Sequence, residues 1–440
     1  MRVYIETLGC PKNTVDSESM AAVLEKGGHS LAQDPYEADA LVVNTCAFIK
    51  DAKEESIGAI FDMAGIKKDS GQLLLVTGCL PQRYAADLYK EMPEVDAFLG
   101  VNDYEHINEA LEEAASGKRV SEVTRAPREY DELEVKVMDA GGASAYLRIA
   151  EGCDNVCSYC VIPAIRGPYR SRRMENIIKE AESLAAQGKK ELILIAQDVS
   201  AYGKDIYGDL VLYKLLRELC KIDGIEWIRL LYCYEDSITD ELIQTMKEED
   251  KICNYIDIPL QHINDRILSD MNRHSTTASI NDTISRLRAA IPDIHIRTTF
   301  ITGFPGETEE EFEELQDFIE ETKFDRLGVF SFSLEEDTPA AEMPDQVDDD
   351  VKDARRDALM ELQREISLEN NKKKIGSVLE TIIDEKNDDG TYSGRTRYDA
   401  PEIDDGVILT SDTELQPGDI VYVKITDAFD YDLTGERIEK

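Results

Sequence analysis

The sequence has no apolar stretch approaching the roughly 18 residues that a membrane-crossing helix needs. Its first residues, Met1-Arg2-Val3-Tyr4-Ile5-Glu6, run directly into a strand-like pattern without the apolar core of a secretory signal. A cytoplasmic protein with no membrane partner is therefore expected. Basic charge is also scarce: 49 Lys and Arg stand against 91 Asp and Glu, giving a formal net charge of −42. Such a surplus repels a phosphate backbone and attracts a basic protein, although it equally fits a well-solvated acidic surface. The nine cysteines are an odd number, which argues against a disulfide framework and moves attention to their positions.

What is present is a long alternation of strand-like and helix-like segments. Val3–Leu8, Ala40–Asn44 and Leu73–Thr77 read as strands. Thr14–Lys26, Asp51–Ala64 (stopping at Gly65) and Tyr84–Met92 read as helices between and after them. A polar connector follows, near Gly117 to Ala143. The alternation then resumes with strands at Ala145–Ala150, Glu191–Ala196, Trp227–Tyr232, Tyr255–Pro259, His295–Ile301 and Leu327–Phe332. Helical patterns such as Met174–Gln187 and Glu309–Glu321 lie between them. About six βα units imply a partial barrel rather than a complete one. Asp350–Lys374 reads as one charged helix. Past Gly376, short β runs at Val378–Ile383, Gly390–Arg397, Val407–Leu409 and Asp419–Asp427 suggest a small all-β barrel.

Cys153, Cys157 and Cys160 share one loop just beyond a predicted strand. Three thiolates at this spacing wrap a cubane iron–sulfur cluster and leave one iron open for a ligand. Zinc is the competing occupant, but it favours paired knuckles and no second pair is near. Cys10, Cys46 and Cys79 each follow a predicted strand of the first domain, about one βαβ unit apart. Parallel strands would bring them to one sheet edge, with Gly9 and Gly78 easing two of the turns. Spacing alone leaves two readings of this set open, a second cluster or buried structural thiols. Cys220, Cys233 and Cys253 read as ordinary buried cysteines.

Other polar groups fall at strand ends, where α/β proteins place ligands. They include Gln197 and Asp198, Thr298 and Thr299, and Gly303 in Gly303-Phe304-Pro305-Gly306-Glu307. His262 follows a strand and reads more readily as a structural histidine than as a site residue. Arg229 lies within a strand. Arg166, Arg170, Arg172 and Arg173 form a basic island whose role, ligand contact or internal pairing, stays open. No catalytic acid or base stands out.

Taken together, Leu8-Gly9-Cys10-Pro11-Lys12-Asn13, Asn44-Thr45-Cys46, Thr77-Gly78-Cys79, the Cys153/Cys157/Cys160 loop, Ala196-Gln197-Asp198, Pro259-Leu260-Gln261-His262 and the Gly303–Glu307 motif resemble the methylthiotransferases of the radical S-adenosylmethionine superfamily. The resemblance covers nearly the whole chain. It implies an N-terminal parallel α/β methylthiotransferase domain (1–116), a linker (117–143), a partial (β/α) radical-SAM barrel (144–340), a helical connector (341–375) and a C-terminal TRAM barrel (376–440). It also implies two [4Fe-4S] clusters. One, on Cys153, Cys157 and Cys160, would bind S-adenosylmethionine and yield a 5′-deoxyadenosyl radical. The other, on Cys10, Cys46 and Cys79, would carry the sulfur to be methylated and transferred. By their place in the strand pattern rather than by the resemblance, Gln197, Arg229, Thr299 and Gly303 fit a pocket at the top of the barrel and are expected to contact S-adenosylmethionine. An electron donor such as flavodoxin or ferredoxin is implied as well.

The family divides between tRNA adenosine and an aspartate of small-ribosomal-subunit protein twelve as substrate. From Gly376 to Lys440, 17 Asp or Glu against 6 Lys or Arg give a net charge of −11, where a tRNA-gripping domain should be basic. Together with Asp399-Ala400-Pro401-Glu402-Ile403-Asp404 and Ser333-Leu334-Glu335-Glu336-Asp337-Thr338, this is similar to the RimO branch, which acts on the ribosomal protein. One departure stands out: Tyr232-Cys233-Tyr234-Glu235 occupies the place of an expected Tyr-x-Tyr-Pro.

Overall fold

A computed structural model describes residues 1–124 and 142–439. The connector expected over 117–143 lies mostly outside these residues. The described chain forms two compact units. The first holds residues 1–124, 150–172 and 333–341; the second holds 142–149, 173–332 and 342–439.

The first unit is built on a parallel sheet. In chain order its elements are β1 (Arg2–Thr7), α1 (Pro11–Lys26), β2 (Ser30–Leu31), β3 (Ala40–Thr45), α2 (Lys50–Ser70), β4 (Leu73–Gly78), α3 (Cys79–Glu91), β5 (Ala97–Leu99), α4 (Ile107–Ala115) and β6 (Val120–Glu122). The spatial strand order is β2-β1-β3-β4-β5-β6. Side chains of a strand alternate between faces, so β3 divides its residues between two cores. Leu41 and Val43 pack with Leu74, Val76 and Phe98 on one face. Ala40 and Val42 pack with Val3, Ile5 and Leu75 on the other.

Two expected boundaries move. The second helix runs past Gly65 and stops only at Gly71, which takes a left-handed φ of 75°. Ile57, Ile60, Met63 and Ile66 pack on the sheet core from this helix, and that burial outweighs the cost of an internal glycine. The third helical span opens at Cys79, with Pro81 inside its first turn, where a missing N–H costs nothing, and kinks at Tyr84 (φ −124°, ψ 25°), so a short helical turn precedes the helix expected from Tyr84.

The first unit also holds β8 (Ala150–Glu151), α5 (Ile162–Arg166) and β9 (Arg170–Ser171), while β7 (Ser144–Arg148) lies in the second unit. The second unit continues with α6 (Met174–Ala186), β10 (Glu191–Ile195), α7 (Lys204–Tyr207), α8 (Leu212–Leu219), β11 (Trp227–Leu230), α9 (Asp240–Glu248), β12 (Ile252–Gln261), α10 (Asp265–Asp270), α11 (Thr277–Ala290), β13 (His295–Thr302), α12 (Glu309–Thr322), β14 (Arg326–Ser331) and α13 (Asp349–Lys372). Its parallel sheet has the order β14-β13-β12-β11-β10-β7, the succession of a partial barrel. The last elements are β15 (Val378–Lys386), β16 (Tyr392–Thr396), β17 (Val407–Thr410), β18 (Ile420–Ala428) and β19 (Leu433–Ile438). They close a five-stranded barrel. Four of these strands fall on the expected β runs, and β19 is additional to them. Its Gly435 and charged residues weaken the alternation, and pairing with both β17 and β18 supplies what the local pattern lacks.

The terminal barrel is tied to the parallel sheet by buried charge. Glu191 lies between Arg229 Nε (2.8 Å) and Arg395 Nη1 (2.9 Å). Arg326 meets Asp399 at 2.7 Å, Tyr255 donates to Asp404 at 2.7 Å, and Trp227 Nε1 donates to Glu380 at 3.1 Å.

Candidate metal centre

Cys10 caps the N-terminus of α1, and Cys79 opens α3. Helix N-termini present unpaired N–H groups and a positive dipole end, which favour thiolate. The turns into both cysteines need glycine. Gly9 has φ +92°, and a Cβ there would lie 2.7 Å from the Cys46 Cβ. Gly78 has φ +99°, and its Cβ would meet the Thr45 carbonyl oxygen at 2.6 Å. Cys46 is held by Ser56, whose hydroxyl donates to the Cys46 carbonyl at 2.9 Å and accepts from its N–H at 3.0 Å. Asn13 Nδ2 bridges the first two turns, donating to the carbonyls of Leu8 (2.7 Å) and Thr45 (3.0 Å).

The second loop is in the same compact unit. Gly152 has φ +80°, and any Cβ there would lie 2.0 Å from the Pro168 carbonyl oxygen, so only glycine lets the chain enter the loop. Asp154 accepts from the Tyr169 N–H at 2.9 Å, and the Cys160 N–H donates to the Cys157 carbonyl at 3.1 Å. The Ile162 N–H donates to Cys160 Sγ at 3.5 Å.

These thiols affect one another. Burial pushes Cys79 up to about 12, Arg166 pulls against that, and Cys46 and Cys10 push it further up. Cys46 is raised by burial and by Cys10. Burial also pushes Cys160 up to about 12, opposed by the Ile162 N–H and reinforced by Cys157 and Cys153. Thiols held this way ionise when a metal takes the proton's place. Among the described residues, no three His, Cys, Asp or Glu side chains close on a single ion position. Two sets of three soft sulfur donors on separate loops suit a larger cluster better than one tetrahedral zinc. The donor chemistry therefore fits iron–sulfur clusters.

The residues expected to contact S-adenosylmethionine diverge. Gln197 is half-buried just beyond β10, at the carboxyl end of its strand. Asp198 beside it accepts from Ser200 Oγ at 2.7 Å. Thr299 is half-buried on β13, on the same face as Arg297 and one step nearer the strand's carboxyl end. Arg229 is differently engaged: it is fully buried, and its guanidinium is spent on Glu191 and on the carbonyls of Arg397 (2.9 Å) and Thr396 (3.3 Å). The Gly303 N–H donates to Glu307, and a Cβ at Gly303 would strike Lys352 at 2.1 Å, so close packing against α13 accounts for this glycine. Thr298 donates to the Ile258 carbonyl at 2.9 Å.

His262 is fully buried, and its Nδ1 accepts from the Asn264 N–H at 3.0 Å. Cys233 and Cys253 are buried, whereas Cys220 is only half-buried. The departure at Glu235 has a local explanation. Glu235 is buried, pairs with Arg273 at 2.9 Å, and Arg273 stacks on Tyr234 at 4.1 Å. Within the basic island, Arg170 donates to the carbonyls of Pro168 and Arg166, while Arg173 is exposed. Asp16 and Glu151 were missed by sequence reasoning. Both are buried against Arg166, and neither belongs to a recognisable motif.

Three family profiles match in succession: uncharacterized protein family UPF0004 over residues 2–100, the radical SAM superfamily over 147–319, and the TRAM domain over 375–438. This order defines a radical S-adenosylmethionine enzyme, a class that works with an iron–sulfur cluster and S-adenosylmethionine. In fold, the chain is similar to the radical S-adenosylmethionine methyltransferase TsrM from Kitasatospora setae, with a TM-score of 0.58 at 14% identity, covering 86% of this chain and 81% of that one. Among curated proteins it is 50% identical to ribosomal protein uS12 methylthiotransferase RimO of Thermoanaerobacter sp. (strain X514), over 99% of both chains. It is 49% identical to the RimO of Geobacter sulfurreducens, over 99% of this chain and 98% of that one. The chain belongs to the RimO family of radical S-adenosylmethionine methylthiotransferases.

Proposed function

We propose that this protein transfers a methylthio group to an aspartate of ribosomal protein uS12 in the cytoplasm, using two [4Fe-4S] clusters. Cys153, Cys157 and Cys160 would hold one cluster, and Cys10, Cys46 and Cys79 the other. The observation that carries this reading is the pair of three-thiol sets in one compact unit, each entered through glycine turns that tolerate no side chain. When bound, the clusters supply the electron for S-adenosylmethionine cleavage and an open iron for sulfur. The protein's own contribution is positional: Ser56, Asn13 and Asp154 fix the loops, and burial keeps water from Cys46 and Cys79. Gln197 and Thr299 remain the residues proposed to meet S-adenosylmethionine, since both stand toward strand carboxyl ends. A flavodoxin or ferredoxin is proposed as electron donor.

Charge supports a protein substrate over RNA. The terminal barrel turns Arg395 inward to Glu191 and Asp384, and Arg397 inward toward Glu380, while most of its acids stay in the solvated shell. What remains repels phosphate and suits a basic ribosomal protein. The test is an anaerobic reaction of reconstituted, reduced enzyme with S-adenosylmethionine and a sulfur source, with uS12 or tRNA offered in parallel. Mass spectrometry is expected to find a methylthio gain on an aspartate of uS12. A gain on tRNA alone would overturn the substrate, and 5′-deoxyadenosine with neither product would leave only the radical chemistry standing.

A further inference from the structure

Arg166 closes α5, the short helix that follows the Cys153–Cys160 loop, and its side chain is 2% exposed. Its Nη1 meets Asp16 Oδ2 at 2.7 Å and lies 3.5 Å from Glu151 Oε2. Its Nη2 donates to Asn13 Oδ1 at 2.7 Å and to Cys79 Sγ at 3.4 Å. Thus an arginine from the loop of one cysteine set donates to a sulfur of the other. Two carboxylates already offset the cost of burying the cation, so stability does not require the sulfur contact. The planar guanidinium lets one nitrogen serve the carboxylates while the other reaches Asn13 and Cys79, an arrangement that the point charge of lysine cannot reproduce. Asn13 is doubly useful here, because its amide nitrogen holds the turns at Cys10 and Cys46 while its oxygen receives Arg166.

We propose that Arg166 is a positioning residue for the cluster held by Cys10, Cys46 and Cys79, and that its charge and its N–H donation to Cys79 raise that cluster's reduction potential. Reduction adds negative charge to a cluster, so a nearby cation and a donor to a ligand sulfur both favour the reduced form. The proposal rests on the reading that these three cysteines hold a cluster.

The test uses the full chain with Cys153, Cys157 and Cys160 all replaced by Ala, so that only one cluster can load. Bound iron is measured first, and the midpoint potential is then followed by electron paramagnetic resonance. R166Q is expected to shift the midpoint to more negative potential, and R166K to restore it only in part. D16N, which removes an anion and leaves Arg166 in place, is expected to shift it the opposite way. Should R166Q fail to fold or load, R166K and D16N carry the test. A parent that binds no iron overturns the cluster reading and this proposal with it. A loaded parent whose midpoint is unmoved by these substitutions overturns the role of Arg166 alone.

Discussion

At the scale of single residues, the candidate centre depends on thiols and on the glycines that admit them. Replacing Cys79 or Cys160 by Ala is expected to remove about half of the bound iron, because each substitution disables one three-thiol set and leaves the other intact. Iron and sulfide analysis of the two variants checks this, and full retention in either would remove that set from the assignment. Gly152→Ala is a sharper probe. Its methyl would lie 2.0 Å from the Pro168 carbonyl oxygen at a φ that L-residues rarely adopt. The variant is expected to lose the iron of the Cys153–Cys160 loop while the other set still loads, again read by iron content. Most of this was legible beforehand. A thiol's chemistry is intrinsic to its residue type, and a glycine before a cysteine announces an unusual turn. Asp16 and Glu151 were not legible, because an acidic residue in so acidic a chain carries no mark of its partner.

At the scale of elements, the contact between parallel sheet and terminal barrel is an electrostatic joint with a pH signature. Burial opposes ionisation of Glu191, but Arg395 and Arg229 outweigh it and hold its pKa down to about 2, below its ordinary 4.5. A carboxylate with a depressed folded-state pKa stabilises the fold fully above its unfolded pKa, and this contribution is lost as pH falls through the folded one. Glu191→Gln is therefore expected to cost about 3 kcal/mol at neutral pH, with the difference from the parent shrinking between pH 4.5 and about 2. Comparing the pair removes the opposing contribution of Asp404, which burial pushes upward. Trp227 is the sole tryptophan, buried against Glu380 at this joint. Denaturation followed by its fluorescence reports the effect directly; an equal cost at both ends of the pH range would contradict it. Local pattern located these strands well but placed Arg229 in a cofactor pocket. Its position in a strand is visible in sequence, whereas the carbonyls of Thr396 and Arg397 lie in another domain.

For the whole molecule, the net charge of −42 governs encounter with partners rather than the fold. Binding of uS12 is expected to weaken by about an order of magnitude or more between low and high salt, mainly through slower association, because screening removes long-range attraction. Binding kinetics at several ionic strengths measure this, and a salt-independent rate would point to an apolar docking surface. A bare tRNA is expected to show no comparable affinity at any of these salt concentrations.

The sequence by itself determined the order of the domains, the two sets of three candidate cysteines and the turns at Gly9 and Gly78, because each depends on residue chemistry and on patterns a few residues long. Tertiary structure alone decided which charges remain available to a ligand. Arg166 meets Asp16 across 150 positions, and Arg395 meets Glu191 across 204. A guanidinium can be buried only where folding brings acceptors around it, and no local pattern encodes acceptors that far away.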